Sequence, residues 1–471
     1  MDLKEHLGHA LDAIAERKAG WGPHTPYRVP GLDAEAVAGA LDEYTGRLRG
    51  NYPFFHPRYA GQMLKPPHPA AIIGYLAAMR INPNNHALDG GPPTAEMEKE
   101  VVKELAAMFH LPGETLGHLT TSGTIATLEA LWVARERTPQ SDGRLSGKAI
   151  AFSEAAHYTH GRMSGVLGME TVTIPTDVRG RMDLEALEEA LQTGEIGTVV
   201  VTAGTTSLGA VDPIADVLAL RERYGFRLHA DAAYGGFFAL LAWNDEDEES
   251  LLSEDVRRHY RAIAQADSVA LDPHKHGLQP YGCGCILFRD PDVGRLYQHD
   301  SPYTYFTSDA LHLGEISLEC SRAGAAAGAL WLTLRLLPLR ASEGFGPILA
   351  RCLDAAQRWS TRLATSDVLQ PYVPPELDIV TFFPRPDVPS ASQIDQASQR
   401  LFREAMEDEG DPVFLSVLRV KSERLREYVP GLKIDQDEAS ILRSVLMKPE
   451  HAGYVGHLHA RLTELAAAAH A

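Results

Sequence analysis

The chain has 471 residues, a length that suits two to three structural units. Its hydrophobic content of 44% and charged content of 23% place it among soluble globular proteins. A formal net charge of -19 argues against nucleic acid or an anionic membrane as partner, since both require a basic face.

No apolar run approaches the ~20 residues that span a bilayer. The start, Met1-Asp2-Leu3-Lys4-Glu5-His6, has no apolar core of the kind a secretory signal requires. Four cysteines are too few for a disulfide framework, so the expected location is the cytoplasm. In chain order, residues 1–81 read as a Pro-rich segment with one helix. A helix is predicted over Ser122 to Arg137, apolar at Ile125, Leu128, Leu131 and Trp132. A strand over Lys148 to Ser153 and a helix over His157 to Leu167 follow. Next come a strand over Glu170 to Ile174 and a helix over Asp183 to Leu191. Thr198 to Ala203 is a solidly apolar strand, and Pro213 opens a helix that runs to Tyr224. The acidic run Asn244 to Glu249 reads as a solvated loop. Repeated βα units with near-continuous apolar strands predict an α/β fold, a mostly parallel sheet with helices on both faces. That large domain is assigned to residues 82–335, and residues 336–471 to a small α+β C-terminal domain.

Two strand ends carry the chemistry. Phe226-Arg227-Leu228-His229-Ala230-Asp231 ends in a carboxylate, and Asp267-Ser268-Val269-Ala270-Leu271 is followed by Asp272-Pro273-His274-Lys275-His276. A lysine and an aspartate at the ends of neighbouring strands can meet one planar cofactor. Pyridoxal phosphate requires that pair, a lysine for a Schiff base and an acid to hold the pyridine nitrogen protonated. Thr120-Thr121-Ser122-Gly123-Thr124, just before a helix, offers hydroxyls and free N–H groups to a phosphate; the same residues also suit a plain N-cap. His157 offers a flat ring that can stack on a pyridine face, and Thr205-Thr206 lies in reach of a phenolic oxygen. Cys283 and Cys285 alternate on one strand and read as small buried thiols, so no metal site is assigned.

Taken together these stretches resemble the pyridoxal-phosphate-dependent group II amino acid decarboxylases of fold type I. The resemblance runs from His56 to about Leu334, through His56-Pro57-Arg58-Tyr59, Thr121-Ser122-Gly123-Thr124, Ala156-His157-Tyr158, Gly204-Thr205-Thr206, Asp231-Ala232-Ala233-Tyr234-Gly235-Gly236 and Asp272-Pro273-His274-Lys275. It implies Lys275 as the Schiff-base lysine, Asp231 as partner of the ring nitrogen and His157 stacked on the ring. It implies Ser122, Gly123, Thr124 and His274 near the phosphate, with Thr205 completing the cofactor set. Asp272 stands where the aromatic decarboxylases have asparagine. An acid there repels a phosphate unless turned away, so Asp272 is left outside the phosphate set. The archaeal tyrosine/aspartate branch resembles Asp272-Pro273-His274-Lys275.

The implied reaction is loss of CO₂ from an amino acid, because the protein chooses which substrate bond breaks by orienting it against the cofactor ring. Gln62 resembles the substrate-contacting glutamine of animal glutamate decarboxylases, and Arg322 resembles their carboxylate-binding arginine, whose fork suits a carboxylate. Both favour an acidic over an aromatic substrate; Tyr59, Tyr281 and Phe306 are the aromatic alternative. An aldehyde synthase or another carbon–carbon lyase would share every cofactor residue. The family further implies a homodimer, with residues 1–81 packing on the partner and sites at the interface. His299 to Thr307 reads as a closing loop, in which Tyr305 (Tyr303 as second choice) is the candidate proton donor.

Overall fold

In the computed structural model, residues 2–25, 27, 29–30, 32–138, 147–243, 251–298, 312–386 and 388–468 are described. The large sheet contains β1 (Leu116–Thr120), β2 (Ala149–Ser153), β3 (Thr171–Ile174), β4 (Ile196–Thr202), β5 (Arg227–Asp231), β6 (Ser268–Leu271) and β7 (Gly284–Phe288). Their order is β1-β7-β6-β5-β4-β2-β3. Strands β3, β2, β4, β5 and β6 pair in parallel, and β7 runs antiparallel to both β6 and β1. The mostly parallel α/β sheet expected from the sequence is therefore present.

Every residue of β4 is buried, and alternate positions serve different cores. Val199 and Val201 join the cluster that holds Leu228, Ala230 and Val102, whereas Val200 joins Leu131, Ile150 and Met163 on the opposite face. Two covered faces explain why the strands read as unbroken apolar runs. His229 and Asp231 alternate with Leu228 and Ala230, so they lie on the face covered by helices Gly123–Arg137 and Thr159–Leu167.

A second, antiparallel sheet, β10-β11-β9-β8, is built from β8 (Leu369–Pro371), β9 (Ile379–Pro384), β10 (Ser416–Lys421) and β11 (Glu438–Val445). Helix Phe345–Ala364 joins the two units: Phe345, Leu349 and Leu353 pack in the large core, and Ala356, Trp359 and Leu363 in the small one.

The N-terminal part differs from the single expected helix. Three helices form, Leu3–Ala19, Ala34–Leu48 and Pro69–Met79. The first two are capped by Asp2 and Asp33 and bury no residue, and the third packs its small side chains on helix Gly324–Leu336. Residues 59–61 instead join the small unit: Ala60 N–H donates to Phe414 O, and Val445 N–H to Ala60 O. Cys283 and Cys285 are buried free thiols, pushed up in pKa by that burial. Among the described residues, no helix is long and apolar enough to cross a membrane.

Candidate active site

Because β1 runs parallel to β6, the C-terminal ends of β1, β4, β5 and β6 share one edge, the usual place for ligands in open α/β sheets. A cavity of about 170 Å³ opens there. Ser122, Gly123, Thr124, His157, Asp231, His274 and Lys275 all line it, as do Thr202, Thr206, Tyr234 and Asp272.

The strand β1 delivers the first wall. Ser122 is the N-cap of helix Gly123–Arg137, and its hydroxyl accepts from Ile125 N–H at 3.4 Å. Thr120 Oγ1 donates to Ser122 O at 2.9 Å and holds the turn. Gly123 is required by a close approach, since a Cβ there would stand 2.7 Å from both carboxylate oxygens of Asp272. The amides of a helix N-terminus thus face the cavity beside two hydroxyls.

The turn after β6 supplies Lys275. Its amide donates to Asp272 O at 2.9 Å, and its Nζ lies 3.0 Å from Asp272 Oδ2. Asp272 is not turned away from the cavity; it serves as the counter-charge of Lys275, while its Oδ1 is buried without a partner among the described residues. His274 donates from Nδ1 to Cys283 O at 2.8 Å and packs against Tyr281. Burial lowers the His274 pKa, with Asp272 opposing.

Asp231 closes β5. Burial alone would raise its pKa, but a hydrogen bond and charge from His160, together with Lys275, outweigh it and hold the carboxyl below the usual carboxylate range. Its oxygens accept from His160 Nε2 at 2.8 Å and Ala233 N–H at 3.1 Å. His157 Nδ1 accepts from Thr159 N–H at 3.3 Å, which leaves Nε2 protonated in the neutral ring. Burial lowers the His157 pKa, Asp231 opposing, so the neutral form is favoured.

These residues fit pyridoxal phosphate on the chemistry of the donor set. A lysine amine, a carboxylate held ionised, a neutral imidazole and a hydroxyl-rich helix start surround one small cavity.

The structure places the remaining candidates elsewhere. Thr205 is buried in the turn after β4, where its hydroxyl accepts from Ala210 N–H; its neighbour Thr206 faces the cavity instead. Gln62 lines a larger cavity of about 600 Å³ that shares His157 and Thr206 with the first. Arg322 is not at either cavity. Its guanidinium is spent on Glu98 at 2.7 Å and on the carbonyls of Leu119, Asn85 and Gly314. Burial would raise the Glu98 pKa, yet Arg322 holds it down, as a structural ion pair does. Tyr59 is buried against Phe54 and Phe414. Tyr303, Tyr305 and Phe306 lie outside the described residues.

Sequence reasoning missed two residues. Arg443, on β11, lines the larger cavity and is 4% exposed. It donates to Ser207 O, Gly61 O and Ser416 Oγ, and its Nη2 is buried without a partner among the described residues. A lone arginine inside the apolar run Ile441-Leu442-Arg443-Ser444-Val445-Leu446 was the available signal. His160, which grips Asp231, gave none beyond its spacing from His157.

The profile of the pyridoxal-dependent decarboxylase conserved domain matches residues 54–382. The chain is 32% identical over 405 residues to L-tyrosine decarboxylase of Enterococcus faecium, covering 68% of this chain and 66% of that protein. It thus spans just under two thirds of that relative's length. It is 28% identical over 350 residues to a probable L-tyrosine/L-aspartate decarboxylase of Methanothrix thermoacetophila, covering 74% of this chain and 82% of that one. The fold is similar to Oryza sativa TDC, solved with PLP and tryptamine, at a TM-score of 0.77 and 20% identity over 98% of both chains.

Proposed function

The chain belongs to the pyridoxal-dependent decarboxylase family, whose members are pyridoxal-phosphate-dependent carboxy-lyases, and on that premise we propose that it removes the α-carboxylate of an acidic amino acid as CO₂. In this reading Lys275 holds the cofactor covalently and Asp231 meets its ring nitrogen. His157 lies on its face, and Ser122, Gly123, Thr124 and His274 receive its phosphate. When bound, the cofactor supplies the electron sink that accepts the pair left as CO₂ departs.

The protein's own groups do the rest. Asp231 keeps a negative charge at the foot of the cavity. Asp272 gives Lys275 a counter-charge whenever that amine is free. The observation that carries the substrate assignment is Arg443, a buried guanidinium that, among the described residues, has no partner for Nη2 and no carboxylate among its hydrogen-bond partners. A buried cation of this kind suits a ligand carboxylate. That carboxylate is the side-chain one. Pairing the α-carboxylate would stabilise the ground state and oppose its loss. Gln62, on the same cavity wall, offers an amide donor beside it.

Tyrosine is the second reading, supported by the names of the relatives and by Leu208 and Tyr372 in the cavity wall. The test is CO₂ release from L-aspartate, L-glutamate and L-tyrosine by the cofactor-loaded enzyme. The proposal expects at least one acidic substrate to exceed tyrosine in kcat/KM, with amine as the product. Faster turnover of tyrosine would replace it, and aldehyde as the main product would move the assignment to an aldehyde synthase.

A homodimer belongs to the same reading. Val37, Leu41, Tyr44 and Leu48 form an exposed apolar stripe on helix Ala34–Leu48, which a second copy would cover. Light scattering in solution gives the mass that tests it.

A further inference from the structure

Asp231 is gripped from behind by a second histidine. His160 sits in the first turn of helix Thr159–Leu167, is fully buried, and places Nε2 2.8 Å from Asp231 Oδ2. An ionised carboxylate only accepts, so Nε2 carries the proton and donates. His160 Nδ1 is buried without a partner among the described residues. An apolar side chain would fill the same gap between helix and sheet without that cost. The cost is offset at Asp231, whose second oxygen is fixed by the Ala233 amide. Two donors on two oxygens lock the carboxylate plane and withdraw charge from it.

We propose that His160 is a positioning residue that fixes the Asp231 carboxylate and so determines that the proton shared with the cofactor resides on the ring nitrogen rather than on Asp231. This rests on the reading that Asp231 meets the ring nitrogen. The physical reason is that a carboxylate already accepting a strong hydrogen bond is a weaker base. Without the donor, buried Asp231 would compete for the proton, and a neutral ring is a poorer electron sink. The other titratable groups around Asp231 are Lys275 and His157 on the cavity side, Asp272 beyond them, and His229 behind. The His229 ring lies 6.2 Å from that of His160 and is tied to Ser268 Oγ at 2.8 Å. All of these remain in place when only His160 is changed.

The test compares His160→Gln, which retains an amide donor near the Nε2 position, with His160→Phe and His160→Leu, which retain bulk alone. Each is loaded with cofactor carrying ¹⁵N in the ring, and the ¹⁵N shift and visible absorbance are followed from about pH 6 to 9. Wild type and His160→Gln are expected to keep the protonated-ring signal throughout. The two apolar variants should lose it within the range, with kcat lower by about tenfold or more and KM changed by less than about threefold. An unchanged ¹⁵N shift in a folded apolar variant would overturn the proposal, as would equal loss in His160→Gln. Asp231→Ala separates the two levels of argument: a protonated-ring signal that survives it removes the reading on which the proposal rests.

Discussion

Replacing Gly284 by alanine tests how the turn proposed to face the phosphate is supported. Gly284 opens β7 opposite Thr120 of β1. A Cβ there would lie 2.5 Å from Thr120 Oγ1, 2.6 Å from the carbonyl carbon of Ser122 and 2.9 Å from Gly123 N. Ordinary contact begins near 3.4 Å, so the Ser122–Gly123 backbone must retreat by roughly 0.8 Å. Overpacking of this kind costs about 1–3 kcal/mol. Because the moving atoms are the turn itself, most of the loss should fall on the cofactor, weakening its Kd by ~5- to 100-fold. The assay is absorbance titration of the apo-protein with pyridoxal phosphate, alongside thermal melts. Gly456→Ala, on helix His451–Ala468 with open space around it, is the control and should be neutral or slightly stabilising. Cofactor binding within twofold of wild type in Gly284→Ala would refute the reasoning that this bare α-carbon seats the turn.

Three further outcomes follow from the geometry. Arg443→Lys keeps a charge but loses the fork, so kcat/KM for the acidic substrate should fall by ~10- to 100-fold at unchanged cofactor affinity; loss of less than twofold would remove Arg443 from substrate binding. Asp272→Asn removes a carboxylate from the cavity proposed to receive the phosphate, so cofactor affinity should rise in the titration; weaker binding would show that the Lys275 counter-charge matters more. His229 and His451 are driven down to about 3 by burial. Between that value and the unfolded ~6.5 the unfolded chain binds more protons, so stability is intact above ~6.5 and falls on acidification. At pH 5 each histidine should cost about 2 kcal/mol relative to pH 7. Melts of His451→Gln should therefore decline less steeply than wild type from pH 7 to 5, and equal slopes would contradict the assignment.

What the sequence made legible was local. Strand β4 announced itself by an apolar run, and Ser122 by hydroxyl chemistry before a helix, where the structure finds it as N-cap. The helix expected from His157 begins instead at Thr159, because His157 turns its ring back to accept the Thr159 amide. One N-terminal helix was expected where three form, and the first two bury no residue. Arg322 was read as a substrate contact, whereas the structure sets it in an ion pair away from both cavities. The partner that claims Arg322 is Glu98, 224 positions away, and no local pattern reveals such a pair. Thr205 and Thr206 differ only in which way a tight turn faces them, a choice made by the Ala210 amide.

The central claim is that the cavity at the ends of β1, β4, β5 and β6 is the cofactor site, with Lys275 as its covalent anchor. Loading the protein with pyridoxal phosphate, reducing with borohydride and mapping peptides by mass tests it directly. The account predicts a single cofactor adduct, on Lys275, that is absent from Lys275→Ala. An adduct on another lysine, such as Lys65 or Lys448, or one that persists in Lys275→Ala, would contradict it.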